Sequence, residues 1–339
     1  MQTLVSLRFS FAGSRCFAPS RLFGMLLAVT TLIAVLPQLA AAQADSEEAE
    51  ELPEPEDITL PTKDGVQLIA TYYGSLEGKK AVPVILLHGF KGDRRDFEEL
   101  ALTLQKSGHA VIAPDLRGHG DSTTYTRPGG SAQMTLSASK LRKDDIARMY
   151  APGVGGIPSG DLEAVKRFLM AKNNAGELNI EKLCVVGADM GATVALNWAL
   201  ADWSWPRLAG RGKQGQDVKA LVLISPEWAF KGLPITMAIN SPIISRELSI
   251  MLVCGRGDSS GMRDASRIHS SLEKFRPAPP SDPKEAAEKQ DLFFDKPSTS
   301  LRGTKILGEK SLGLDRRIAK FIDLRLVQMT MPWVDRGKD

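Results

Sequence analysis

The chain has 339 residues, 43% hydrophobic and 24% charged, which is room for one large domain or two small ones with globular composition. Its formal charge of +3 rests on Arg8, Arg15 and Arg21; without them, 40 basic residues face 40 acidic ones. That balance offers no argument for nucleic acid or a membrane surface as a partner.

The first 44 residues read as an export signal. Arg8, Arg15 and Arg21 form a basic region, Leu22 to Leu36 is apolar and uncharged, and Pro37 breaks it. Ala40-Ala41-Ala42 and Ala42-Gln43-Ala44 are small-residue cleavage sites. Apolar character persists nearly to Ala42, so an uncleaved anchor is the rival reading. The cleavage sites favour removal, giving a periplasmic or secreted protein with no stable membrane insertion. Residues 45–57 are acidic and interrupted by Pro53 and Pro55, as in a disordered linker.

Globular patterning runs from Ile58 to about Leu326, with 327–339 as a tail. Ile58 to Leu60 and Gln67 to Tyr73 flank Lys63-Asp64-Gly65, a hairpin turn. Ala81 to Leu87 is continuously apolar, as a strand covered on both faces would be. A helix follows over Asp96 to Lys106, then a strand over Ala110 to Ala113. The connection from Ser122 to Ser159 is long and basic (Arg127, Lys140, Arg142, Lys143, Arg148) and reads as a mobile insertion or a small lid. Asp161 to Lys172 is helical, with Leu162, Val165, Phe168 and Leu169 on one face. Lys182 to Gly187 is a strand and Met190 to Ala201 a helix. Strands follow at Val218 to Ile224 and Ser249 to Cys254, a helix at Met262 to Phe275, a short strand at Asp291 to Phe294 and a closing helix at Arg316 to Leu326. An antiparallel start followed by strand–helix alternation predicts an α/β fold with a doubly wound, mostly parallel sheet, whose sites lie at the carboxyl ends of its strands.

Cys16 leaves with the leader, and Cys184 and Cys254 sit in apolar runs, so buried free thiols are expected rather than a disulfide. The histidines are scattered and no Cys-x-x-Cys occurs, so no metal site and no cofactor is expected. The stretch from Gly153 to Gly160 lacks a preceding strand and is not a dinucleotide fingerprint.

Three segments carry chemistry. Val84-Ile85-Leu86-Leu87-His88-Gly89-Phe90 is a strand running into a His-Gly loop. Ala113-Pro114-Asp115-Leu116-Arg117-Gly118-His119-Gly120-Asp121-Ser122 is a turn dense in Gly and charge. Gly187-Ala188-Asp189-Met190-Gly191 joins a strand to a helix with the spacing of a G-x-S-x-G nucleophile elbow, but with Asp in place of Ser. Together, in this order, they resemble the α/β-hydrolase superfamily of serine esterases, lipases and peptidases, with a degenerate catalytic triad. The resemblance implies that Gly187 and Gly191 permit the tight elbow. It also implies that the N–H groups of Phe90 and Met190 form an oxyanion hole.

Asp189 has two readings. It is a carboxylate nucleophile, as in the haloalkane dehalogenases and epoxide hydrolases of this superfamily, or it is a helix N-cap that tolerates strained backbone. The N-cap reading is favoured, because the second step of the nucleophilic route needs a base. The resemblance places the triad acid at Asp258. It places the histidine where this chain has Arg302, and arginine stays protonated and cannot act as a base. His88 and His119 lie in motifs the superfamily uses structurally, His109 just precedes a buried strand, and His269 lies mid-helix. A carboxylate–guanidinium–carboxylate array of Asp258, Arg302 and Asp189 is therefore expected. Only about 22 residues (Glu227 to Leu248) separate the sixth and seventh strands, too few for a large cap domain. The reading is an exported, catalytically impaired relative that binds a small molecule or protein partner in the former cleft. The alternative is an active hydrolase of ester, epoxide or carbon–halogen bonds with Asp189 as nucleophile.

Overall fold

A computed structural model describes residues 51–150, 160–205, 213–278 and 280–337. The expected leader, residues 45–50 of the acidic linker and the stretch from Gly153 up to Gly160 lie outside these residues. In chain order, β1 (Glu56–Pro61), β2 (Val66–Tyr73), β3 (Pro83–Leu87), α1 (Glu98–Lys106) and β4 (Ala110–Pro114) are followed by β5 (Thr124–Thr126), β6 (Gln133–Thr135), α2 (Lys143–Tyr150) and α3 (Asp161–Asn174). Then come β7 (Leu183–Ala188), α4 (Met190–Ser204), β8 (Val218–Ile224), the short β9 (Ala229–Phe230) and β10 (Leu233–Pro234), α5 (Thr236–Ile239) and α6 (Pro242–Arg246). The chain closes with β11 (Ser249–Val253), α7 (Ser259–Glu273), α8 (Pro283–Lys289), β12 (Leu292–Asp295) and α9 (Leu314–Ile322).

The main sheet runs β12-β11-β8-β7-β3-β4-β2-β5-β6, with β1 paired to β2. From β12 to β4 every pairing is parallel, whereas β2 joins β4 antiparallel and β1 joins β2 antiparallel. Strands β3, β4, β7 and β11 are buried at every position, as parallel strands with helices on both faces must be. Two apolar clusters, one on each face, form the core. The helix after the elbow, α4, is apolar around most of its circumference and buried from Met190 to Leu196, which suits a helix enclosed by its neighbours rather than an amphipathic surface helix.

Two expectations need correction. The segment from Ser122 is not a structureless insertion: it adds β5 and β6 to the sheet edge, and α2 buries Ile146 and Met149 in the core. Ordered structure begins before Ile58, because Asp57 lies in β1 and its carboxylate accepts from Thr71 and from Arg94 at 2.9 Å. The expected tail after Leu326 makes polar contacts with the domain. Trp333 Nε1 donates to Asn173 O at 3.0 Å, and Arg336 pairs with Glu181 and Asp217 at 2.9 and 2.8 Å. Apolar packing periodicity locates helices and strands, but these anchors rest on single polar contacts and leave no period to read.

Cys184 and Cys254 are free and buried, as expected. Among the described residues, no helix is long and apolar enough to cross a membrane.

Candidate active site

Strand register brings the site together. Leu87 pairs with Gly187, Ala188 with Ile224, and Ile224 with Val253. The segments that leave these strands, 88–90, 189–191, 225–228 and 254–258, therefore meet at one carboxyl edge, where open α/β sheets carry their sites.

Asp189 occupies the elbow with φ 47° and ψ −111°, a conformation rare outside glycine. Its N–H donates to Ile224 O at 3.0 Å, and its carbonyl accepts from Ala192 N at 3.1 Å as α4 begins. The two elbow glycines are sterically required. A β-carbon on Gly187 would collide with Gly191 O, and one on Gly191 would collide with Leu87 O. Strained residues of this kind cost of order 1–3 kcal/mol and cluster at functional sites.

The Asp189 side chain does not cap α4, which corrects the favoured sequence reading. It turns across the cleft instead: Arg302 Nε donates to Asp189 Oδ1 at 2.9 Å. Arg302 Nη2 donates to Glu227 Oε1 at 2.7 Å, whereas Asp258 Oδ2 lies 3.8 Å from Nη1, beyond hydrogen-bond reach. The structure thus brings Asp189, Arg302 and Asp258 to one place, but the second carboxylate bonded to the guanidinium is Glu227. Sequence reasoning passed over Glu227. Its signal was position alone, two residues after Ser225 at the end of β8.

Asp258 is not an exposed turn residue. Its side chain is 10% exposed, and its Oδ1 accepts from Gly261 N at 2.9 Å, capping α7 three residues earlier than the helical pattern suggested. Ser225 is a second residue the sequence did not flag. It is buried at φ 47°, and its Oγ accepts from Gly303 N at 2.9 Å, which ties the Arg302 loop to the end of β8.

The electrostatics are those of three acids sharing one cation. Burial raises the Asp189 pKa, with Asp258 adding to the rise and Arg302 opposing it. Burial likewise raises Glu227, against the pull of Arg302. Burial opposes the Arg302 charge, but Asp189, Glu227 and Asp258 outweigh it and raise its pKa. The guanidinium therefore stays protonated, anchoring the carboxylates without accepting a proton.

The histidines sit elsewhere. His88 is fully buried, with Nδ1 2.8 Å from Gly89 O and Nε2 accepting from Leu116 N at 3.0 Å, a neutral ring with both nitrogens engaged. His119 contacts Arg117 O through Nδ1 at 3.0 Å, and burial lowers its pKa to about 4. His109 is buried, and His269 lies on α7 stacked on Phe294.

Met190 opens α4, so its N–H has no partner within the helix. Phe90 sits in the loop after β3, with its ring 5.4 Å from Phe230 and Lys231 Nζ 4.1 Å above it. Trp228, beside Glu227, is covered by Arg267 at 3.5 Å. The β9–β10 hairpin, tethered by Lys231 Nζ to Leu141 O at 3.2 Å, thus packs against the Phe90 loop. Among the described residues, no group of three or more His, Cys, Asp or Glu is arranged to hold a metal ion.

A family model described as the alpha/beta hydrolase fold matches residues 82–240. Among solved structures, an esterase of Pyrococcus furiosus superposes with a TM-score of 0.51 at 17% identity, covering 80% of this chain and 92% of the other. An esterase of Pyrobaculum calidifontis superposes with a TM-score of 0.51 at 14% identity, covering 81% and 85%. No curated protein matches the chain. At these identities the structural likeness is one of fold.

Proposed function

Since this chain is an α/β-hydrolase-fold protein, we propose that it is an exported relative that has lost serine-hydrolase chemistry and uses the former cleft to bind a small molecule or protein partner. The observation that carries this reading is the 2.9 Å bond from Arg302 Nε to Asp189 Oδ1. A serine hydrolase needs a hydroxyl at the elbow and a neighbouring group that takes up and returns its proton. Here an aspartate and a permanently charged arginine hold each other instead. The export half of the proposal rests on the basic, apolar and small-residue segments of the first 44 residues.

The second reading is a hydrolase in which Asp189 attacks an alkyl carbon and forms an ester intermediate. The strained elbow and the 25% exposure of the Asp189 side chain favour it. Among the described residues, no histidine is paired with Asp189, Glu227 or Asp258 to activate water for the second step, which weighs against it.

The test is turnover of acyl esters, epoxides and haloalkanes by the purified protein and by Asp189→Asn. The proposal expects no turnover by either protein when both are folded. Turnover by the natural chain that disappears in Asp189→Asn would replace it with the carboxylate-nucleophile reading. N-terminal sequencing of protein recovered from a bacterial periplasm tests export. A start near Asp45 supports cleavage, and an intact Met1 in the cytoplasm removes that half of the proposal.

A further inference from the structure

A cavity of about 370 Å³ lies at the opposite end of the sheet from Asp189, beside the first residues of β11 and β12 and the last turn of α7. Its size falls in the lower range of small-ligand sites. Phe275, Leu292 and Pro277 supply apolar wall, and Arg246, Arg276 and Lys289 supply positive charge.

The arginines are unusual within this molecule. Arg276 Nη2 donates to Leu248 O at 2.6 Å and Ile244 O at 3.3 Å, but Nε and Nη1 are buried with no hydrogen-bond partner. Every other non-exposed arginine among the described residues pairs with a carboxylate: Arg94, Arg117, Arg302, Arg317, Arg325 and Arg336. Arg276 pairs with none. Burial accordingly lowers its pKa, with Asp291 opposing the shift only through space. Arg246, at the rim over the Phe275 ring, also pairs with no carboxylate among the described residues.

Two acids, Asp291 and Glu273, share the cavity wall. Asp291 Oδ1 accepts from Ser249 Oγ at 2.8 Å and lies 3.4 Å from Arg325 Nη1, and Glu273 lies 3.7 Å from His269. Lys289 is taken by Glu285 at 2.5 Å. Arg246 and Arg276 therefore both line one partly apolar cavity without a paired carboxylate, and guanidinium groups favour planar carboxylates.

We propose that this cavity binds a small amphipathic carboxylate, with its charged end beside Arg276 and Arg246 and its apolar body against Phe275 and Leu292. The site is separate from the Asp189 cleft and does not depend on whether that cleft is catalytic.

The test is calorimetric titration of the purified protein with sodium octanoate, and with octanamide as the neutral isostere. One saturable octanoate site is expected, with octanamide weaker by about tenfold or more, because the charged head carries the recognition. Arg276→Gln should raise the octanoate Kd by about tenfold or more. Arg246→Gln, at an exposed position that leaves the fold intact, should raise it by about threefold or more, as expected for a partly screened contact. Arg302→Ala should leave it unchanged. No saturable binding, equal binding of octanamide, or indifference to both Arg276→Gln and Arg246→Gln would overturn the proposal. So would loss of binding in Arg302→Ala, which would move the ligand to the Asp189 cleft.

Discussion

Gly303 backs directly onto Asp189: a β-carbon added to Gly303 would collide with Asp189 Oδ2, and Gly303 itself sits at φ 59°. The residue after the cationic Arg302 is thus glycine for two separable reasons, one of backbone conformation and one of room for the facing carboxylate. Gly303→Ala is expected to destabilise the protein by about 1–3 kcal/mol. Adding Asp189→Ala should recover the steric part but not the backbone part. A urea-denaturation double-mutant cycle measures the difference, and the two changes should be coupled by about 0.5–3 kcal/mol, as for residues in contact. Strict additivity would mean that the carboxylate and the glycine do not confine each other.

On the proposed reading Arg302 stands where the superfamily's histidine would be, and its contact with Asp189 makes that testable. Asp189→Ser with Arg302→His places a hydroxyl at the elbow and an imidazole on the loop that now reaches it at 2.9 Å. Two carboxylates, Glu227 and Asp258, lie near enough to Arg302 to orient the ring. Hydrolysis of a nitrophenyl ester should rise about 10²–10⁴-fold over the Asp189→Ser single mutant, the contribution usual for general-base catalysis. Removing Glu227 or Asp258 in that background identifies the orienting acid. A folded double mutant with no gain would show that the 302 loop does not present its side chain to the elbow as an imidazole must.

The parallel strands were legible in the sequence because continuous apolar runs such as Val84 to Leu87 and Leu183 to Val186 have few other uses. The elbow was legible because Gly187 and Gly191 are demanded by close backbone approach, which leaves a fixed spacing in the sequence. Glu227 was not legible. Its role arises because β7 and β8 pair in register, which brings together the segments that follow Ala188 and Ile224, and Arg302 then bridges Asp189 and Glu227; no local pattern records that arrangement. Asp189 was misread for a related reason. Local rules score it as a helix cap, whereas a guanidinium 113 positions away claims its carboxylate. The β5–β6 extension and α2 were hidden by short strands with exposed or half-exposed residues, where periodicity carries little signal.

The C-terminal anchor predicts a stability effect far from the cleft. Arg336 is 5% exposed and reaches both Glu181 and Asp217, while Asp217 is also held by Lys166 at 2.8 Å and Lys213 at 3.0 Å. Arg336→Ala leaves Asp217 with two of its three cations, so the loss should fall below the 3–5 kcal/mol typical of stranding a buried charge, at about 1–3 kcal/mol. Truncation after Met331 should cost more, because it also removes the Trp333 bond to Asn173 O and the Lys79 contact with the Trp333 ring at 3.9 Å. Thermal unfolding of the two variants checks the order. An unchanged midpoint in both would show that the segment is not fastened to the domain.

Acid should weaken the fold through three buried histidines, His88, His109 and His119, whose pKa values burial lowers, before it reaches the carboxylates with lowered pKa. Burial lowers both His109 and His119 from 6.5 to about 4. Asp323 lies 3.3 Å from His109 Nε2, but no hydrogen bond is formed and Asp323 is 48% exposed, so the desolvated ring is the stronger influence. Between pH 6.5 and 4 the unfolded chain binds protons that the folded chain refuses. Their stabilisation is thus fully present above 6.5 and is lost as pH falls toward 4. The window is separate from that of Asp217, whose pKa is lowered to about 2 by its three cations despite burial. Asp189 and Glu227 act in the opposite sense, because their raised pKa values make the folded state the better proton binder. The net slope therefore mixes signs, and the difference between the natural chain and His109→Gln isolates one ring. Urea midpoints at pH 7, 5.5 and 4.5 should fall more steeply in the natural chain than in the variant, by on the order of 1–3 kcal/mol across the range. Parallel curves would mean that His109 titrates alike in the folded and unfolded chains.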